Sequence, residues 1–248
     1  MRQRKVKNLD EKLEAVSAYM VEDPSPEVWA EVFGADAGSG GDVRFGVDTD
    51  SGASVGSGAE GAAPAGRDLY LEIGCGKGDF LLQQALAHPE HDYIGIEGQA
   101  SVVLRALQKA AEAGSARDGG LHNLRFACAF VNHLEELFAP GSLAGIFLNF
   151  SDPWPKERHA KRRLTYRGRL QDYAKALKKG GFIAVKTDND ALFDFTLEEI
   201  EASGFKPAEL TRDLHGEGCS YEARLVMTEY EKKFHEAGKH INYIKVIV

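Results

Sequence analysis

The sequence predicts an α/β fold, a doubly wound and mostly parallel sheet with helices on both faces. Three observations predict it. From residue 69 onward short apolar runs alternate with amphipathic stretches. A glycine-rich turn joins the first apolar run to the first of those amphipathic stretches. The fourth apolar run ends in a segment dense with charge, where an open α/β sheet binds its ligands, outside the carboxyl ends of its strands.

The elements follow in order. Strand patterns cover Leu69–Ile73, Tyr93–Glu97, Leu124–Ala129, Gly145–Phe150 and Phe182–Thr187. Helical periodicity covers Phe80–Ala87, Ser101–Ala113, His133–Phe138, Tyr166–Leu177 and Leu192–Ala202. A terminal apolar run, Ile241 to Val248, reads as a late strand. Ahead of the alternation, residues 1–34 form a basic amino-terminal extension with an amphipathic stretch from Leu9 to Met20, then Trp29 and Phe33. Residues 35–66 are rich in Gly, Ala, Ser and Asp and nearly free of large apolar side chains, so they predict a flexible insertion. Residues 67–248 hold the α/β domain.

The first strand and its turn read Leu69-Tyr70-Leu71-Glu72-Ile73-Gly74-Cys75-Gly76-Lys77-Gly78. Alternate glycines let the backbone turn sharply and approach a ligand without a Cβ in the way. The Gly-x-Gly-x-Gly spacing differs from the dinucleotide fingerprint, and no Lys-Ser/Thr of a P-loop follows, so phosphate cradling is disfavoured. The next strand ends on Glu97, twenty-five residues after Glu72. A carboxylate there can accept both hydroxyls of a ribose. Glu72, before the turn, can meet a cationic amino group. Either glutamate alone is more often a surface residue; the ordered set carries the signal.

The segment Asn149-Phe150-Ser151-Asp152-Pro153-Trp154-Pro155-Lys156-Glu157-Arg158-His159-Ala160-Lys161-Arg162-Arg163-Leu164 is the second signal. It offers a carboxylate, a proline-stiffened aromatic turn, five lysine or arginine side chains and a histidine. That set suits holding an anionic polymer while a carboxylate handles one group of it. The bland alternative is a packed turn followed by a solvated basic face.

Composition sets the bounds. At 248 residues one sizeable core is the simplest count. The net charge of −8 argues against coating nucleic acid over the whole surface, yet Lys156 to Arg169 concentrate positive charge locally, as do Arg2, Arg4, Lys5 and Lys7. Three widely spaced cysteines suggest neither a zinc site nor a disulfide framework. No apolar run is long enough for a membrane span or a signal-peptide core, so a cytoplasmic protein is expected, with no membrane and no metal.

Glu72 through Gly78 with Glu97 resembles motifs I and II of the class I S-adenosylmethionine-dependent methyltransferases. The Asn149 to Leu164 segment, with Thr187-Asp188 and Thr228-Glu229-Tyr230-Glu231-Lys232-Lys233-Phe234, resembles the bacterial tRNA (guanine(46)-N7)-methyltransferase family. The resemblance covers roughly Leu69 to Ile247, more loosely the amino terminus. It implies a seven-stranded Rossmann-like sheet with an antiparallel late strand, S-adenosyl-L-methionine as cofactor, tRNA as partner, and a monomer or homodimer. It implies cofactor contacts from Glu72, Gly74, Gly76, Gly78, Glu97 and Asp152, with Asp152 also catalytic. It implies substrate contacts from Lys156, Arg158, His159, Lys161, Arg162, Arg163, Asp188, Thr228, Glu229, Tyr230 and Glu231.

Some readings stay open. Asp188 is as readily the N-cap of the helix starting at Leu192 as a substrate ligand. The family's acidic residue at the end of the third strand is replaced here by Phe130, with Asn132 as a possible substitute. Against transfer of a methyl group to tRNA stand a methyltransferase for another RNA, a nicotinamide oxidoreductase, and a non-catalytic RNA-binding protein of the same fold. The glycine spacing and the basic segment disfavour the oxidoreductase.

Overall fold

A computed structural model describes residues 6–34, 67–118 and 120–248. The expected insertion at 35–66 and the basic side chains of Arg2, Arg4 and Lys5 lie outside the described residues. The chain runs α1 (Leu9–Glu14), α2 (Pro26–Gly34), β1 (Leu69–Ile73), α3 (Asp79–Ala87), β2 (Asp92–Glu97), α4 (Ala100–Ser115) and β3 (Leu124–Cys128). It continues through β4 (Leu143–Asn149), α5 (Arg167–Ala176), β5 (Leu177–Thr187), α6 (Asp190–Ala202), β6 (Lys206–Thr211), α7 (Glu229–Glu236) and β7 (Asn242–Ile247).

The seven strands form one sheet in the order β3-β2-β1-β4-β5-β7-β6. β1 to β5 are mutually parallel, while β7 runs antiparallel to both β5 and β6. Strand side chains alternate between faces, and the sequence uses that period of two to build two cores. Ile94 and Ile96 of β2, Ala127 of β3 and Ile183 and Val185 of β5 join the core beneath α2, α5 and α6. Tyr93 and Phe126, one residue out of phase, join the core beneath α3 and α4. Leu71, Ile94, Leu148 and Phe193 are wholly buried, each stabilising the fold by about 1.5–3 kcal/mol relative to exposure.

Residues 6–34 are part of this core. Trp29 is buried and stacks on Phe138 with ring centroids 5.9 Å apart, and the Val21 N–H donates to Phe126 O at 2.8 Å. The helix expected at His133–Phe138 is only a 3-10 turn over Leu134–Glu136. β6 was not legible in the sequence. Its segment, Lys-Pro-Ala-Glu-Leu-Thr, is mostly exposed at the sheet edge and so carries no apolar alternation.

The site depends on which edge the loops leave. The carboxyl ends of β1, β2, β4 and β5 share one edge, and the glycine turn, the Asp152 segment and the start of α7 all meet there.

Candidate active site

The turn after β1 holds Gly74, Gly76 and Gly78 at φ of 77°, 56° and 73°, all in the left-handed region. Gly78 must also lack a side chain, because a Cβ there would lie 2.8 Å from Ala106 Cβ and from the Phe126 ring. Gly74 and Gly76 differ: a Cβ on either would meet no atom within 4 Å. They border open space, the room a ligand needs.

Glu97 closes the turn. Its carboxylate accepts the Gly76 N–H at 3.2 Å and the Gln99 N–H at 3.1 Å. Both bonds use backbone donors, so they fix the carboxylate relative to the glycines. Glu72 lies at the end of the adjacent strand, buried, with Oε1 accepting from Asn149 Nδ2 at 2.8 Å. Its Oε2 is buried without a partner. Burial pushes its pKa up to about 8, against the opposing pull of the Asn149 hydrogen bond and the Lys186 charge. A buried acceptor with one oxygen unsatisfied is costly and fits a ligand that brings a cationic donor.

Asn149 ends β4, and the chain then turns with Phe150 and Trp154 at positive φ, 52° and 41°. Such values cost non-glycine residues energy and persist only where the surroundings enforce them. Arg163 enforces the second: its guanidinium donates to Pro153 O at 3.0 Å and to Trp154 O at 3.1 Å, and lies 4.2 Å over the Phe195 ring. Between the two strained residues Asp152 is exposed, with no hydrogen bond or ion pair to another described residue. This is a free carboxylate on a braced loop.

The basic side chains divide. Lys156, Arg158 and Lys161 are exposed and unpaired among the described residues. Arg162 is exposed and stacks 4.9 Å over the Trp154 ring, while His159 meets the same indole edge-on. Arg163 was expected to contact substrate; its guanidinium faces inward, holding backbone carbonyls.

The carboxy-terminal segment is anchored from below. Lys186, a lysine in an otherwise apolar strand, is buried and donates to both oxygens of Glu231, at 3.1 and 3.0 Å, and to Ala223 O and Val226 O. His215 Nε2 lies 2.8 Å from the same carboxylate. Thr228 and Glu231 cap α7 reciprocally, the Thr228 hydroxyl accepting the Glu231 N–H at 2.9 Å and Glu231 Oε2 accepting the Thr228 N–H at 3.2 Å. So Glu231, expected among the substrate contacts, is wholly buried and supports the loop instead. Glu229 is exposed and pairs with Lys77 of the glycine turn at 2.8 Å, and Tyr230 also turns its side chain mainly to solvent, 58% exposed.

Asp188 is not the helix cap. Asn189 takes that role, accepting the Leu192 N–H at 2.8 Å, and Asp188 pairs with Lys239 at 2.6 Å. Phe130 is 78% exposed and lies against Gly98, where a Cβ would overlap its ring. Asn132 lies farther along and lines a groove together with Lys161. Sequence reasoning assigned no role to Asn149, Lys77, Lys186 or His215. A lysine inside an apolar strand was the one available signal, since such a cation requires a buried partner.

Among the described residues no cluster of His, Cys, Asp and Glu is arranged to hold a metal ion. No helix there is long and apolar enough to cross a membrane.

A protein-family model described as "Putative methyltransferase" matches residues 66–244. The tRNA (guanine-N(7)-)-methyltransferase of Mesoplasma florum is 45% identical over 175 residues, covering 70% of this chain and 78% of that protein. Its counterpart in Geobacillus kaustophilus is 37% identical over 233 residues, covering 93% of this chain and 89% of that protein. Among solved structures, the 16S rRNA methyltransferase KamB superposes with a TM-score of 0.54 at 15% identity, covering 73% of this chain and 87% of that one. An antibiotic-related methyltransferase gives 0.52 at 19% identity, with the same coverage of 73% and 87%. These two likenesses concern the fold alone.

Proposed function

Because the chain belongs to the tRNA (guanine-N(7)-)-methyltransferase family, we propose that it transfers a methyl group from S-adenosyl-L-methionine to N7 of a tRNA guanine, the one at position 46 in the variable loop. The observation that carries the reading is the free, exposed carboxylate of Asp152 on its braced turn, beside an open glycine loop and a buried glutamate with one unsatisfied oxygen. The cofactor supplies an electrophilic methyl on a sulfonium. The residues present fit it. Glu72 offers Oε2 to its ammonium, Glu97 offers a carboxylate to its ribose hydroxyls, and Gly74 and Gly76 leave it room. Phe130 offers a flat apolar face beside Glu97 where the family carries an acceptor.

Guanine N7 has an in-plane lone pair and no proton, so no base is required. The chain's task is alignment, which is worth up to about 7–11 kcal/mol for two well-oriented reactants. As the purine gains positive charge, Asp152 stabilises it and accepts from N1–H and the 2-amino group. Lys156, Arg158, Lys161 and Arg162 neutralise phosphates, which positions RNA without reading its sequence.

The test uses purified protein, radiolabelled S-adenosylmethionine and unmodified tRNA, with the product mapped by aniline cleavage. Label at the variable-loop guanine is expected, and none in tRNA species lacking it. Label elsewhere, or on another RNA in preference, would replace the substrate assignment. Asp152→Ala should lose most turnover while remaining folded; near wild-type turnover would remove Asp152 from the mechanism.

A further inference from the structure

An open groove of about 580 Å3 lies between the segment that follows β3 and the segment that follows β4. Of its lining, only Lys161 serves methyl transfer as proposed above. Asn132 and His133 form one wall, Lys161 and Tyr166 the other, and Arg169 and Asp172 of α5 form the floor. Both walls leave the sheet at its carboxyl edge, the edge that carries Asp152 and Glu97. Its volume falls in the range of sites that hold a small ligand or one residue of a polymer.

The lining is polar and mixed in charge, which disfavours an apolar peptide. The free donors stand at the rim: Lys161 and His133 are exposed, and neither has a hydrogen-bond or ion-pair partner among the described residues. The Tyr166 ring borders Gly168, where a Cβ would lie 3.2 Å from it. The floor is fixed. Arg169 donates to Val131 O at 2.9 Å, and Asp172 Oδ2 accepts the Leu134 N–H at 2.7 Å, leaving its second oxygen for an outside donor. A cation and an imidazole at the rim, an aromatic ring on one wall and a carboxylate below are what a nucleotide requires: donors for a phosphate, a stacking face and an acceptor for an exocyclic amine. Glu136 also lines the groove and adds a second carboxylate to that of Asp172.

We propose that this groove binds one unstacked nucleotide of the tRNA next to the target guanine, with Lys161 and His133 on its phosphate, Tyr166 against its base and Asp172 accepting from its amine. The proposal rests on tRNA being the substrate. It gives the enzyme a second hold on the RNA, so that the target base is placed by its neighbour as well as by the active-site turn.

Two measurements on the full chain test it. The first is irradiation at short ultraviolet wavelength of the complex with unmodified tRNA and S-adenosylhomocysteine, then digestion and mass spectrometry. A nucleotide adduct on the peptide containing Tyr166 or His133 is expected; adducts confined to other peptides would overturn the proposal. The second is kinetic. Tyr166→Leu and His133→Glu should each raise KM for tRNA about tenfold, with little change in affinity for S-adenosylmethionine. His133→Lys should restore KM to within about twofold. Should Tyr166→Leu fail to fold, the exposed His133 still decides, because its replacement disturbs no packing. Unchanged KM in His133→Glu, or a KM defect that His133→Lys shares, would overturn the phosphate clamp. A wild-type chain that leaves tRNA unmethylated would instead sink the functional reading, a different result from methylation that the groove variants do not affect. A folded protein partner seated in the groove would appear as protection of Tyr166 by that partner without any RNA adduct, and would also overturn the proposal.

Discussion

The Lys186 ammonium lies 3.1 and 3.0 Å from the two oxygens of Glu231, with neither side chain reaching solvent. This pair joins β5, an interior strand of the sheet, to the first turn of α7, and so fixes the helix start that carries Thr228, Glu229 and Tyr230. Burial lowers the pKa of Lys186, while Glu231 opposes that shift. Removing one partner leaves the other charge buried without its counter-ion: Glu231 keeps only His215 and the Thr228 N–H, and Lys186 only the Ala223 and Val226 carbonyls.

Lys186→Met should therefore destabilise the fold by about 3–5 kcal/mol. The double variant Lys186→Met/Glu231→Leu should recover part of that loss, because no orphaned charge remains. Turnover should stay low in both, since the start of α7 at Thr228–Tyr230 loses its anchor. Urea denaturation of the two single variants and the double gives the coupling energy; additive losses would show that the pair does not act as a unit.

Arg163→Ala should lower both stability and kcat while leaving the salt dependence of tRNA binding at the wild-type slope. Its guanidinium brings two carbonyl hydrogen bonds and a stack on Phe195, worth about 2 kcal/mol or more together. Arg163→Lys should not rescue it, because an ammonium cannot reach both carbonyls and cover the ring in the same way. A shallower salt slope in Arg163→Ala would return this arginine to the RNA-binding set.

Glu72 makes stability and binding depend on pH. Its pKa in the folded protein is about 8, against an ordinary carboxylate value of 4.5, so the folded state holds a proton that the unfolded state releases. The associated stability is fully present below about pH 4.5 and is lost as pH rises through about 8. Glu72→Gln should remove that decline, giving a ligand-free protein more resistant to heat than wild type at pH 9. A cationic ligand group at Oε2 favours the ionised carboxylate, so S-adenosylmethionine binding near pH 7 should release protons. Calorimetry in two buffers of different ionisation enthalpy measures that release, and none would separate Glu72 from the ammonium.

Charge reversal at Lys156 and Arg158 should weaken tRNA binding and flatten its salt dependence, by about 0.7–0.9 in the log–log slope for each phosphate no longer neutralised. Both side chains are exposed and unpaired among the described residues, so the melting temperature should hold. A large thermal shift with an unchanged slope would mean that they serve the fold.

By itself the sequence determined the class of fold, the order of most elements along the chain, and the two loops that meet at the carboxyl edge of the sheet. Apolar alternation located β1 to β5 and β7 because those strands are buried, and burial writes hydrophobic periodicity into the chain. The glycines of the turn were legible because only glycine tolerates their backbone conformation. β6 was illegible because an exposed edge strand has no such pattern. Tertiary structure decided which charges face outward. In the sequence Arg163 is one of three consecutive cations, and Glu231 is one of several acids near a helix start. Folding turns the first onto the carbonyls of Pro153 and Trp154 and buries the second beneath Lys186. Pairings between residues 45 positions apart, as Lys186 and Glu231 are, depend on how strands and loops pack in space, and local spacing carries no trace of them.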